Sequence, residues 1–222
     1  MTIDLDQTAA EWKRRCPVND DEIFTAIADE RRRLADLAST FTDDQWATPS
    51  LCGGWTCRDV VAHLVVPLVV SIPAFGLAML RARGNFDRAN IAMAAKVAGS
   101  YSDLPKTLRD RADKRFTPPG QGPRAPLTDT LVHGLDIRRP LGIAADFEPD
   151  RVREVLDFLV ANAGKNIFGT TPTTVRWVAT DLDWTGGDGP VVEGPAESLM
   201  LVLSGRSAGI ADLSGDGVGH LG

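Results

Sequence analysis

The stretch PLTDTLVHGLDIRRPLG, residues 126–142, constrains the fold of this 222-residue chain more than any other. Read as a helix, it sets Asp129, His133 and Asp136 on one stripe. Residues four apart lie about 40° apart around the axis, and residues seven apart nearly coincide. Leu127, Leu131, Val132, Leu135 and Ile137 set that stripe among apolar neighbours. Such a helix has to be buried, and a polar stripe buried with it is costly unless each group finds a partner. A second element with matching chemistry must therefore face this one. The run DVVAHLVVPLVV is the candidate, with His63 in an equally apolar setting. Two imidazoles and one carboxylate are the smallest set for an open, catalytic-type divalent metal site. The same i,i+4 spacing also makes an ordinary Asp–His hydrogen bond. Residue types alone leave both readings open.

Around these segments the chain reads as mostly helical. Asp20 or Asp21 is expected to cap a first helix with Ile23, Phe24, Ile27, Leu34, Leu37 and Phe41 on a 3.6-residue repeat. Its cluster Glu30, Arg31, Arg32 and Arg33 is expected to face solvent. The loop TPSLCGGWT follows, broken by Pro49 and Gly53-Gly54. Thr56-x-x-Asp59 then resembles a capping box that opens the helix bearing His63. The apolar run from Val60 to Leu80 contains His63, Pro67 and Pro73, and is expected to be one buried helix rather than a membrane span.

A helical stretch from Asp87 to Arg111, interrupted near Ser102 and Pro105, leads into an extended linker, PPGQGPRAP. Pro140 ends the helix that carries His133. Glu148-Pro149-Asp150 opens another, with Val152, Val155, Leu156, Leu159 and Val160 inward. From VRWVATDLDW the composition turns β-rich, with GGDGP as a turn, VVEG as a strand and GPAESLMLVLSGR as an amphipathic helix. The expected fold is α+β, with a helical bundle over residues 1–142 and a small α/β domain over 143–222. Neither GGDG nor GDGVG has the setting of a phosphate-binding loop.

A net charge of −6 argues against nucleic acid or an anionic membrane as partner. The start MTIDLDQTAAEW has no signal-peptide pattern, and the three cysteines, Cys16, Cys52 and Cys57, cannot all pair. The expected compartment is a reducing cytoplasm. Cys52-x4-Cys57-x5-His63 is a rival metal set, but its spacing fits no common structural knuckle. Cys57 reads as a packed residue, Cys52 as nearer the site, and His220 as uninvolved. Trp55 and Trp184 read as packing residues or pocket walls.

PSLCGGWTCRDVVAHLV resembles the N-terminal signature of the mycothiol-dependent maleylpyruvate isomerase family, within the DinB-like metalloprotein superfamily. HGLDIRRPLG resembles that family's second metal motif, and VRWVATDLDWTGGDGPVVEGPAESLMLVLSGR its sterol-carrier-like C-terminal domain. The three motifs fall in family order across roughly residues 20 to 222. The resemblance implies a DinB-like four-helix bundle followed by a small α/β domain. It implies a divalent ion, usually zinc, held by His63, Asp129 and His133, and mycothiol as thiol cofactor. Asp136 and Arg206 are implied to serve catalysis and cofactor binding. Asp129 stands where the family has a ligating glutamate. One methylene shorter, it either draws the ion toward its helix or binds it through water.

Three protein ligands leave an open position, the mark of catalysis. A thiol bound there becomes a nucleophile near neutral pH. Asp136 is open to three roles: orienting His133, holding a metal-bound water, or binding the cofactor's amine. The plain alternative is a salt bridge with Arg139, while Arg138, Arg139 and Arg206 near helix C-termini also suit the helix dipole. The expected function is a mycothiol-dependent metalloenzyme, an S-transferase or a cis–trans isomerase. It would act on a small-molecule electrophile or unsaturated acid, as a monomer or homodimer. S-transfer, the broader class, is preferred. The alternative is a non-catalytic, metal-stabilised module that binds a small molecule, which needs no open position and no Asp136.

Overall fold

The computed structural model describes residues 19–118, 120–165 and 174–221. The start MTIDLDQTAAEW, Cys16 and Pro119 of the linker lie outside the described residues. The helices run α1 (Asp20–Ala38), α2 (Asp43–Ala47), α3 (Cys57–Val69), α4 (Ile72–Arg81), α5 (Phe86–Ser100), α6 (Leu104–Asp110), α7 (Arg124–Arg138) and α8 (Pro149–Ala161). Strands β1 (Arg176–Ala179), β2 (Thr185–Gly186) and β3 (Val191–Gly194) precede α9 (Ala196–Leu203) and two short 3-10 turns.

This is the expected α+β architecture. Helix α7 packs between α1 and α3, and α5 covers the far side of α3, which completes a four-helix bundle. Behind it a small sheet in the order β2-β1-β3 packs on α8 and α9. Strand β1 pairs antiparallel with β2 (Trp177 opposite Gly186) and parallel with β3 (Trp177 opposite Val192). Two apolar clusters meet at α7. Leu127, Leu131 and Leu135 pack with α1, α8, α9 and the sheet, whereas Ile137 packs with α3, α5 and α6. That double coverage buries α7 almost throughout.

Three local expectations need correction. The cap of α1 is Asn19, not Asp20 or Asp21: its Oδ1 accepts from the Glu22 N–H, and Glu22 returns the bond to the Asn19 N–H. The two aspartates occupy the first turn, where they suit the helix dipole. Thr56 and Asp59 form the capping box expected at the start of α3.

Second, Glu30 and Arg31 do not face solvent, being 2% and 4% exposed. Arg31 donates to the carbonyls of Ala112 and Lys114, both at 2.9 Å, and Glu30 accepts from Arg151 at 2.6 Å. Burial pulls the Arg31 guanidinium down to about 10. Only Arg32 and Arg33 keep to the surface, paired with Asp113 and Asp146.

Third, the run from Val60 to Leu80 is not one buried helix. It breaks after α3, where Ser71 caps α4 and Pro73 lies in the first turn. Helix α4 buries no residue: Ile72 is 85% and Leu80 75% exposed. No helix among the described residues is long and apolar enough to cross a membrane.

Candidate metal centre

Helices α3 and α7 carry the polar groups into one place. His63, in the second turn of α3, and Asp129 and His133, one turn apart on α7, bring three ligand atoms within 4.8 Å of one another. Asp129 Oδ1 lies 3.6 Å from His63 Nε2 and 3.4 Å from His133 Nε2. Those separations are long for hydrogen bonds, which favour about 2.7–3.2 Å. They match the edge of a tetrahedron around an ion with bonds of about 2.0–2.1 Å, which is roughly 3.3–3.4 Å. Two imidazoles and a carboxylate also form a donor set of the zinc type. The residues present fit a divalent ion.

The other side of His133 is fixed. Its Nδ1 lies 2.8 Å from Asp136 Oδ2. A carboxylate there holds a proton on Nδ1 and turns Nε2 toward Asp129 and His63, so Nε2 is the atom that would meet an ion once its own proton has left. Asp136, wholly buried, is gripped in turn by Arg206, with Nε at 3.1 Å from Oδ1 and Nη2 at 2.8 Å from Oδ2. A further Arg206 N–H bonds the Ser204 carbonyl, so three of its five N–H groups are committed. His63 has no such support: its buried Nδ1 finds no partner among the described residues.

The electrostatics follow from these contacts. Burial favours neutral forms, yet the two imidazoles hold the Asp129 carboxyl well below the usual carboxylate range. His133 is opposed by burial too, but Asp129 and Asp136 raise it to about 9. Despite burial, His133 and Arg206 lower the Asp136 carboxyl, while Asp136 raises Arg206. Burial and then Asp136 push the Cys52 thiol up, against the pull of Arg206.

The loop before α3 closes one side. The Leu51 N–H donates to the Asp136 carbonyl at 3.1 Å, a group left without its helical donor because Pro140 has no N–H. Gly54 at φ +79° turns the loop back, and the Ser50 N–H reaches the Trp55 carbonyl at 2.8 Å. The Trp55 ring then stands 5.2 Å from the His63 ring and 6.5 Å from that of His133.

Cys52 forms a second group with His133 and Asp136, again within 4.8 Å. Cys57 is fully buried in the α3 core and belongs to neither group, so the rival set of Cys52, Cys57 and His63 does not assemble among the described residues. Arg139 is not the partner of Asp136. It pairs with Asp212 and bonds Ser198, because Asp136 points inward on α7 and is taken by Arg206. His220 lies in a 3-10 turn and belongs to neither group. Trp184 is buried and donates to Asp157 at 2.8 Å, a packing role. The sequence left Trp55 open and set Cys52 near the site, but with Cys57 and His63 rather than with His133 and Asp136; its place beside the glycine loop was the available signal.

The family described as "Mycothiol maleylpyruvate isomerase N-terminal domain" matches residues 27–138, half of the chain. The protein belongs to this family. The matched span contains His63, Asp129, His133 and Asp136 and ends well before Arg206. Among solved structures, the chain is similar to the mycothiol-dependent maleylpyruvate isomerase, at 15% identity and a TM-score of 0.49, and to a histidine-to-alanine mutant of that enzyme, at 15% and 0.50. Each alignment covers 89% of this chain and 93% of the other. At that identity the likeness is one of fold. No curated protein matches the sequence.

Proposed function

We propose that this protein is a divalent-metal-dependent enzyme using mycothiol as its thiol cofactor, of the S-transferase or maleylpyruvate-isomerase type. One observation carries the reading: His63, Asp129 and His133 converge, and His133 is oriented from behind by Asp136 and Arg206. Family membership supports mycothiol as the thiol, and the isomerase that shares the fold supports a small unsaturated acid as one substrate class. Zinc suits the donor set, and a bound ion would lower the pKa of a coordinated thiol and leave it nucleophilic near neutral pH.

The remaining work falls to the chain itself. Asp136 keeps a proton of His133 on Nδ1, so that Nε2 would give its lone pair to an ion on losing its own proton. Arg206 offsets the buried Asp136 charge and has two N–H groups without a hydrogen bond among the described residues, suited to a carboxylate of cofactor or substrate. Trp55 walls the two imidazoles and limits water there. Cys52, kept as a neutral thiol, does not compete as a nucleophile. In this division the bundle of residues 1–142 supplies the metal site, and the domain of residues 143–222 supplies Arg206.

The test begins with metal analysis of the purified protein, followed by calorimetric titration with mycothiol and assays for transfer to a small electrophile and for isomerisation of an unsaturated acid. We expect about one zinc per chain, and mycothiol binding that disappears on chelation and returns with zinc. Equal mycothiol binding with and without the ion would contradict the proposal.

A further inference from the structure

Helices α4 and α5 form an antiparallel hairpin with a groove of about 650 Å³ between them. That volume lies in the range of small-molecule sites. Its floor is apolar, including Leu77, Met93 and Val97, and every charged residue lining it is a cation: Arg81, Arg88 and Lys96. None of the three has an ion-pair partner among the described residues. The hairpin reverses through a turn in which Gly84 takes φ +78° and its N–H bonds the Met79 carbonyl. Arg81 at the end of α4 and Arg88 in the first turn of α5 therefore lie at the same end of the groove. Lys96 stands eight residues further along α5, about 12 Å away.

The location is unusual for this chain. Residues 70–101 carry Arg81, Arg83, Arg88 and Lys96 against Asp87 alone, in a protein of net charge −6. Both chemistries of the groove thus ask for a cover. The apolar lining, with Leu77 46% exposed above the buried Met93 and Val97, favours an apolar occupant, and the unpaired cations favour an anionic one. A second copy docked through the same face would set cations against cations, since a two-fold contact pairs each patch with itself. A flat bilayer would not fill a concave space of this size.

We propose that the α4–α5 groove is a binding site for a single-chain aliphatic carboxylate. Its chain lies along Leu77, Met93 and Val97, and its head group meets Arg81 and Arg88.

The experiment is calorimetric titration of the intact protein with dodecanoate below its micellar concentration, beside dodecanol and dodecyltrimethylammonium. Dodecanoate should saturate one site, and the neutral and cationic analogues should bind at least about tenfold more weakly. Joint charge reversal, Arg81→Glu with Arg88→Glu, should weaken dodecanoate by at least about tenfold. Both residues are exposed, so helicity by circular dichroism should be unchanged. Ala78→Trp, which fills the groove, should abolish binding. Failure to saturate, equal affinity for all three amphiphiles, or indifference to charge reversal would overturn the proposal. Sedimentation with phosphatidylglycerol vesicles without dodecanoate binding would assign the face to a bilayer and overturn it equally.

Discussion

Helices α7 and α4 invert the usual relation between hydropathy and burial. Helix α7, RAPLTDTLVHGLDIR, carries two aspartates, a histidine and two arginines, yet it is almost wholly buried. Helix α4, IPAFGLAMLR, has one charged residue and buries nothing. The difference lies in the neighbours. Two apolar clusters flank α7, and the buried ionisable groups of its site are matched: Asp136 by His133 and Arg206, and His133 by Asp136 with Asp129 facing its other nitrogen; the buried Thr128 hydroxyl alone finds no partner among the described residues. Among the described residues helix α4 packs chiefly on α5, through Phe75, Ala78 and Met79, and leaves Ile72, Leu77 and Leu80 exposed. A buried polar group is tolerable where partners are built around it. An exposed apolar one needs no partner to persist, but leaves a surface available to something else.

The strongest way to break this contrast is at His133. His133→Ala should remove essentially all metal binding, while His220→Ala, outside the cluster, should remove none. Elemental analysis of both variants against the parent measures it; equal metal content would dissolve the special status of α7.

Asp136→Ala strips the partner from Arg206 and frees the His133 ring at once. Metal affinity should fall by about 10–100-fold in chelator competition. The metal-free protein should lose about 3–5 kcal/mol in denaturant titration, the scale for a buried ion pair broken on one side.

The apolar residues of the two helices then separate cleanly. Leu131→Ala, in the cluster behind α7, should cost about 2–5 kcal/mol. Leu80→Ala on α4 should stay within about 0.5 kcal/mol. A comparable loss for both, by the same titration, would mean that α4 is covered in solution.

Much of α7 was legible because its information is local. Spacings of four and seven residues fix which side chains share a face, and Thr56 with Asp59 marks the start of α3 in the same way. What escaped was written across long separations. The burial of Glu30 and Arg31 depends on Arg151 and on the carbonyls of Ala112 and Lys114, which no window around residue 30 contains. The grip of Arg206 on Asp136 spans 70 residues. The break between α3 and α4 had a local sign, since Ser71 two residues before Pro73 is an N-cap pattern, but the apolar run obscured it. The exposure of α4 had none, because a helix's own sequence does not state what packs against it.

The central claim is that one ion is held by His63, Asp129 and His133 rather than by the neighbouring group of Cys52, His133 and Asp136. X-ray absorption at the zinc edge, on the zinc-loaded protein without added thiol, separates the two. The account predicts a shell of nitrogen and oxygen alone at about 2.0–2.2 Å with imidazole scattering. A sulfur contribution near about 2.3 Å would place Cys52 on the ion and contradict it.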